Sequence, residues 1–261
     1  MKDKQDVMAQ YAEMQAYLPI AFKHEANHDT YLEQLEVNFV KCVNSDAFQF
    51  AYFCAYLTFM SFINYSAWKI AKTLPTRYLD AMIGLKPYKR EDVVKLKDVE
   101  TLDVYSFGLM AEKDVIEIFG LVDYETGNLK NFINDRNRIA HASGEFNVVT
   151  VDDLSVVLHA ILNEMRTLDN AIRELYTSKF VSIMQDLVAD KYTTEEEYES
   201  AIDDLIFQSE ISYKELEYFS SFTYKKYIGE DTPGKISKAK TVKAKIARVY
   251  KDLYEEGFEA G

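Results

Sequence analysis

Residues 131 to 144 read NFINDRNRIAHASG, and the interpretation of the whole chain starts from this stretch. It has the pattern of the last turns of a helix, with Gly144 as a C-cap, because Gly accepts the left-handed conformation that ends helices. Asn137 and His141 are four residues apart, so they share one helix face. Arg136 precedes His141 by five residues, roughly 140° around an ideal helix. The two need not meet within one chain, but both can face a cleft that two copies share.

The three side chains together suit phosphodiester chemistry. His exchanges protons near neutral pH. Arg offers a planar, permanently charged fork that matches phosphate oxygens, and Asn offers a neutral donor and acceptor. Such a site can cleave RNA without a metal, because the 2′-OH of RNA is the nucleophile. The alternative is structural: a cation favoured by the helix dipole, together with capping polar groups.

The string from Arg136 to His141, RNRIAH, resembles the Arg-x(4–6)-His signature of the HEPN superfamily. The resemblance covers at most about residues 1 to 175. It implies an α-helical bundle that dimerises so that two motifs face one cleft, and metal-independent RNA cleavage that leaves a 2′,3′-cyclic phosphate. Many members act as toxins or in phage defence. By this resemblance His141 is the general acid and base, Arg136 stabilises the phosphate and the transition state, and Asn137 is the orienting partner. No cofactor is implied.

Composition favours long helices and a cytoplasmic setting. The 261 residues are 48% hydrophobic and include only nine Gly and four Pro, which argues against a turn-rich sheet protein. A net charge of −13 opposes non-specific nucleic-acid binding, so an RNA enzyme must concentrate its positive charge locally. Cys42 and Cys54 show no metal-ligand spacing, and a reducing compartment is the default for such a chain. The polar N-terminus does not resemble a signal peptide.

Hydrophobic periodicity predicts an all-α protein with two parts. The first, residues 1–176, is a HEPN-like helical bundle, and the second, 177–261, is a helical extension with an acidic and a basic helix. The uncharged run at 47–68 is predicted to be a central, mostly buried helix, with a membrane span as the minor alternative. Capping boxes at Thr150 and Thr194 start helices. The predicted helices of the bundle are 5–18, 31–43, 47–68, 102–119, the motif helix from 129, and one from 150 to about 176, with a connecting region at 73–98. Those of the extension are 180–188, 194–208 and 212–227, followed by the basic helix.

The basic helix near the C-terminus is the most asymmetric part of the chain. No Asp or Glu follows its cations before residue 252, so the helix is strongly positive. Such a helix suits binding along the phosphates of RNA. The alternative is a solvated helix that pairs with acidic neighbours such as residues 195–199. The residues predicted to bind RNA backbone are Arg138 of the motif and Lys238, Lys240, Lys243, Lys245 and Arg248 of this helix.

Three other patterns carry less weight. His24 and His28 match the His-Glu-x-x-His zinc pattern, but charged neighbours and the lack of a third ligand favour two surface His. Residues 229–236 nearly match the motif of a phosphate-binding loop. The match fails at Ile236, where the motif requires the Ser or Thr that reaches Mg²⁺. His159 is interpreted as a core or edge His.

The predicted function is therefore a metal-independent endoribonuclease that cleaves tRNA or another structured RNA. It would act as a homodimer and as a toxin or phage-defence effector, with an antitoxin or defence-complex partner and no membrane. The alternatives are a non-catalytic HEPN-like module that binds RNA, nucleotide or protein, a helical scaffold protein, and a zinc hydrolase.

Overall fold

The computed structural model describes residues 3–19, 30–84, 98–99, 102, 104–122, 124–140, 148–188, 194, 196–197, 200–201, 211–221, 244 and 247. The fold is all-α, as predicted: these residues form helices joined by turns, and no β-strand occurs among them. Two short 3-10 helices are Val104–Leu109 and Ile118–Val122. The α-helices are α1 (Lys4–Gln15), α2 (Thr30–Asn44), α3 (Phe48–Thr73), α4 (Pro75–Gly84), α5 (Glu112–Glu117), α6 (Gly127–Ala140), α7 (Val151–Val188) and α8 (Tyr213–Ser221).

The uncharged run at 47–68 forms the central helix that its composition predicts. Seventeen of the 26 residues of α3 are buried. Aromatic rings dominate this buried surface, and Tyr52, Tyr56 and Phe59 follow one another at helical spacing along it. In the described part of the chain no helix is long and apolar enough to cross a membrane.

Local sequence chemistry explains where α7 begins, and the helix runs further than predicted. Its start is the predicted capping box: Thr150 Oγ1 accepts from Asp153 N at 3.1 Å, and Asp153 Oδ2 accepts from Thr150 N at 2.9 Å. We predicted an end near residue 176 and a separate helix at 180–188, which is wrong, because one helix spans both. The hydroxyls of Thr177 and Ser178 bond to carbonyls of the preceding turn, so both polar side chains are satisfied within the unbroken helix.

Two other predicted boundaries are also wrong. The connecting region at 73–98 contains α4, which Pro75 starts because proline is tolerated at a first helical position. The single helix predicted at 102–119 is instead a 3-10 helix, then α5, then a second 3-10 helix. Ala111 is extended there, with φ −65° and ψ 133°. This break lets Phe107 and Val115, on opposite sides of it, both reach the core.

The described chain divides into two compact units. The first comprises Met1–Gln15 and Thr30–Ile172. Within it, Tyr11 of α1 stacks on Phe39 of α2 at 4.0 Å between ring centroids, and its hydroxyl lies 2.7 Å from Thr58 Oγ1 of α3. Trp68 of α3 donates its indole N–H to the carbonyl oxygen of Leu102 at 2.8 Å.

The second unit comprises Ala16–Asp29 and Arg173–Gly261. In it the carbonyl oxygen of Ala16 accepts from the backbone N–H of Lys214 at 3.2 Å, and Phe180 stacks on Phe219 at 4.6 Å. The two domains at 1–176 and 177–261 stay a prediction. The capping box predicted at Thr194 is present, since Thr194 Oγ1 accepts from the backbone N–H of Glu197 at 3.2 Å.

Candidate functional site

Helix α6 carries Arg136 on its inward face. Leu129 lies three residues before Phe132 and seven before Arg136, and it is 1% exposed. Phe132 meets Phe59 of α3 edge-on, with ring centroids 5.4 Å apart. Because residues three, four and seven apart line one side of a helix, Arg136 continues the stripe that these two apolar side chains begin. The cation therefore occupies a position that the helix pattern would normally give to an apolar residue.

Two helices contact the Arg136 guanidinium. Its Cζ atom lies 5.3 Å from the ring centroid of Tyr56 of α3. Its Nη2 donates to Glu112 Oε2, on the first residue of α5. The Tyr56 ring is 1% exposed, whereas the side chains of Arg136 and Glu112 remain 26% and 30% exposed. The guanidinium is therefore packed on a buried ring from one side, attached to a carboxylate, and still open in part to solvent.

Burial and the neighbouring side chains shift the pKa values of the residues in this cluster. Burial opposes the charged form of Arg136, but the neighbouring Glu112 and Tyr56 side chains outweigh it and raise the Arg136 pKa. Burial, followed by the negative charge of Glu112, raises the pKa of Tyr56 to about 12. The Tyr56 phenol is therefore neutral at physiological pH and is not poised to act as a base there. Burial raises the pKa of Tyr52 as well, one turn earlier on α3.

The guanidinium keeps donor capacity that its partners do not use. Arg carries five N–H donors, and the ion pair with Glu112 joins only one terminal nitrogen to one carboxylate oxygen. Within the described residues, the Nε of Arg136 is buried and has no hydrogen-bond partner. A buried donor without a partner costs about 1–3 kcal/mol.

The structure positions only part of the predicted site. Arg136 and Asn137 lie on α6, and the Asn137 side chain is half-buried. Successive helical residues are about 100° apart, so Asn137 lies beside the face of α6 that meets Tyr56 and not on it. Arg138 belongs to the last turn of the same helix. His141 follows the end of α6 directly and lies outside the described residues, as does Gly144.

Other predicted site residues also fall outside the described chain. They are His24 and His28 of the zinc-like pattern, and Lys238, Lys240, Lys243, Lys245 and Arg248 of the basic helix. His159 is exposed on α7, so it is an edge residue and not a core one. Among the described residues no group of three or more His, Cys, Asp or Glu side chains is arranged to hold a metal ion. Cys42 and Cys54 are free thiols.

Sequence reasoning missed the two partners of Arg136. Tyr56 was expected to be buried in the central helix, but nothing in its neighbourhood marked it as a platform for a cation. Glu112 lies 24 residues before Arg136 and in a segment whose break at Ala111 was not predicted. A contact of this separation depends on the packing of α5 against α6, which no local motif reports.

Comparisons of this chain with protein-family models, with curated proteins and with solved structures found no match.

Proposed function

We propose that the protein is a metal-independent endoribonuclease whose site is built on Arg136, Asn137 and His141. The observation that carries this proposal is the state of Arg136: its guanidinium packs on Tyr56, is partly open to solvent, and has an N–H without a partner among the described residues. A simple surface cation at a helix end would instead be solvated, and a simple core residue would have its donors satisfied.

In this proposal RNA supplies the nucleophile and the protein moves the protons. His141 takes the proton of the 2′-OH as the 2′ oxygen attacks the adjacent phosphorus, and the bond from phosphorus to the 5′ oxygen breaks. A protonated imidazole returns a proton to the departing 5′ oxygen. The products are a 2′,3′-cyclic phosphate and a 5′-OH. Arg136 stabilises the charge that develops on the phosphorus oxygens, and Asn137 orients the phosphate or the imidazole.

The biological setting is part of the same proposal. We expect a homodimer that brings two motifs to one cleft, acting in the cytoplasm as a toxin or phage-defence effector on tRNA or another structured RNA. An antitoxin or defence-complex partner would restrain it. The basic helix, with Arg138, would add contacts to the RNA backbone. The HEPN resemblance of the motif supports this setting.

The test is cleavage of total tRNA in EDTA. Wild type is expected to cut and to leave 2′,3′-cyclic phosphate ends, and His141→Ala is expected to abolish cutting without unfolding the protein. His159→Ala is the matched control, because it removes an exposed His from α7 and should cut like wild type. Cleavage by His141→Ala at the wild-type rate would refute the assignment.

One observation favours a second candidate, a non-catalytic HEPN-like module that binds RNA, nucleotide or protein. Glu112 already occupies the guanidinium of Arg136, as it would if the pair served only to join α5 to α6. RNA binding by wild type and by His141→Ala, with cleavage by neither, would favour this module.

A further inference from the structure

Glu112 occupies the group that the proposed reaction needs. Its carboxylate accepts from Nη2 of Arg136, and a phosphate oxygen would use the same planar fork. Both ligands are oxyanions, so they cannot hold the same N–H at the same time. Binding of an RNA phosphate to Arg136 therefore requires that Glu112 be displaced, or that the phosphate accept only the remaining donors.

The position of Glu112 allows displacement. It is the first residue of a six-residue helix, follows the extended Ala111, and is 30% exposed. We expect rotation of this partly exposed side chain to move the carboxylate into water. Arg136 is held independently by the Tyr56 ring, so the guanidinium keeps an attachment when Glu112 leaves. The bond joins one nitrogen of the guanidinium to one carboxylate oxygen, whereas a phosphate can bond to more than one N–H of the planar fork.

We propose that Glu112 is an intramolecular competitor for RNA phosphate: it covers Arg136 in the free protein and lowers the affinity of the site for RNA. This inference rests on the proposed RNA-binding role of Arg136. It assigns to Glu112 a regulatory contact, because Glu112 does not take part in the reaction. In the free protein Glu112 holds Nη2 of Arg136, and a phosphate that bonds to this nitrogen replaces the carboxylate.

Binding of a 2′-O-methyl oligoribonucleotide tests this directly, because the probe has RNA-like phosphates and lacks the nucleophile. Its affinity is measured by fluorescence anisotropy for wild type, Glu112→Gln and Glu117→Gln. Glu117→Gln is the matched control. Glu117 lies on the same helix α5 and pairs with Lys130 of α6 at 2.7 Å, and its replacement by Gln changes the net charge by the same amount. Glu112→Gln is expected to bind about fivefold or more tightly than Glu117→Gln, the effect of losing one competing charged hydrogen bond.

A second variant distinguishes the effect of side-chain length at position 112 from the effect of its charge. Glu112→Asp keeps the net charge but shortens the side chain by one methylene, which draws the carboxylate away from Arg136. It too is expected to bind the probe more tightly than wild type, and it serves if Glu112→Gln does not fold. Thermal unfolding confirms that each variant is folded.

The outcomes separate this inference from the ribonuclease proposal. Weaker binding by both Glu112 variants would mean that Glu112 positions Arg136 for RNA and would overturn the inference. Affinity equal to that of Glu117→Gln, or no binding by any variant, would overturn it as well. Tighter binding by the Glu112 variants, in a protein that cleaves no RNA, would uphold the inference and overturn only the ribonuclease proposal.

Discussion

The strength of the Arg136–Glu112 pair can be predicted against an internal standard, because a second ion pair joins the same two helices. Lys130 of α6 and Glu117 of α5 lie 2.7 Å apart, and their side chains are 47% and 49% exposed. The side chains of Arg136 and Glu112 are 26% and 30% exposed, and the Tyr56 ring covers one side of the guanidinium. We expect these different surroundings to give the two pairs different coupling energies.

The magnitude follows from exposure. Exposed ion pairs typically contribute about 0.2–1 kcal/mol, whereas a hydrogen bond to a charged group with less solvent around it contributes about 1.5–3 kcal/mol. Arg136 and Glu112 retain a quarter to a third of their exposure, so the upper range must be discounted. We expect a coupling energy of about 1–2 kcal/mol for Arg136–Glu112 and under about 1 kcal/mol for Lys130–Glu117.

Two double-mutant cycles by urea unfolding measure both values. Each cycle replaces one partner by Ala, then the other, then both. In 1 M NaCl the Debye length shrinks to about 3 Å, so the coupling of Lys130 and Glu117 should fall further than that of Arg136 and Glu112. A coupling energy for Arg136–Glu112 no larger than that of the control pair would refute the view that Tyr56 and partial burial strengthen this contact.

Three further predictions concern the first unit and one thiol. Tyr11→Phe removes the hydroxyl that lies 2.7 Å from Thr58 Oγ1 in a buried site. It should lower the free energy of unfolding, measured in urea titrations, by about 1–2 kcal/mol. An unchanged value would show that the bond contributes nothing. Burial raises the pKa of Glu164, so the native state binds its proton more tightly than the unfolded state does, and the stability of wild type should fall as pH rises above the ordinary glutamate pKa. Glu164→Gln should lose this dependence and be the more stable protein at pH 7, which pH-dependent thermal unfolding checks, and equal pH profiles would contradict it. Burial, and then the neighbouring Cys42, raises the pKa of the Cys54 thiol to about 11. In Cys42→Ser the Cys54 thiol should therefore react with a disulfide reagent at pH 8 much more slowly in the folded protein than in denaturant. Equal rates in the two conditions would contradict this prediction.

The elements that the sequence predicted correctly are those whose signals are local. The central helix α3 follows from an uncharged run of about 20 residues, and the start of α7 follows from Thr150 and Asp153 three residues apart. The capping box of Ser212 and Glu215 at the start of α8 has the same signature and could have been found in the same way. Each of these features is decided within one or two helical turns.

The errors arose where packing overrides local pattern. Pro75 reads equally as the end of one helix or the first residue of the next, and the buried Tyr78 and Met82, four residues apart, decide for a helix. The extended Ala111 has no turn residue to announce it. At the site, helical spacing predicts that Arg136 shares a face with Phe132, but not that Glu112 reaches it, because that contact depends on how α5 packs.

The most direct test of the account is the single-turnover rate of tRNA cleavage in EDTA by Arg136→Lys beside wild type. Lysine keeps the positive charge, and with it a partner for Glu112, but loses the planar fork. The account predicts that wild type cuts, that Arg136→Lys unfolds at nearly the same temperature, and that its cleavage is at least about 100-fold slower, the cost of removing one preorganised donor to a developing oxyanion. Cleavage by Arg136→Lys within a few-fold of wild type, or no cleavage by a folded wild-type protein, would contradict it.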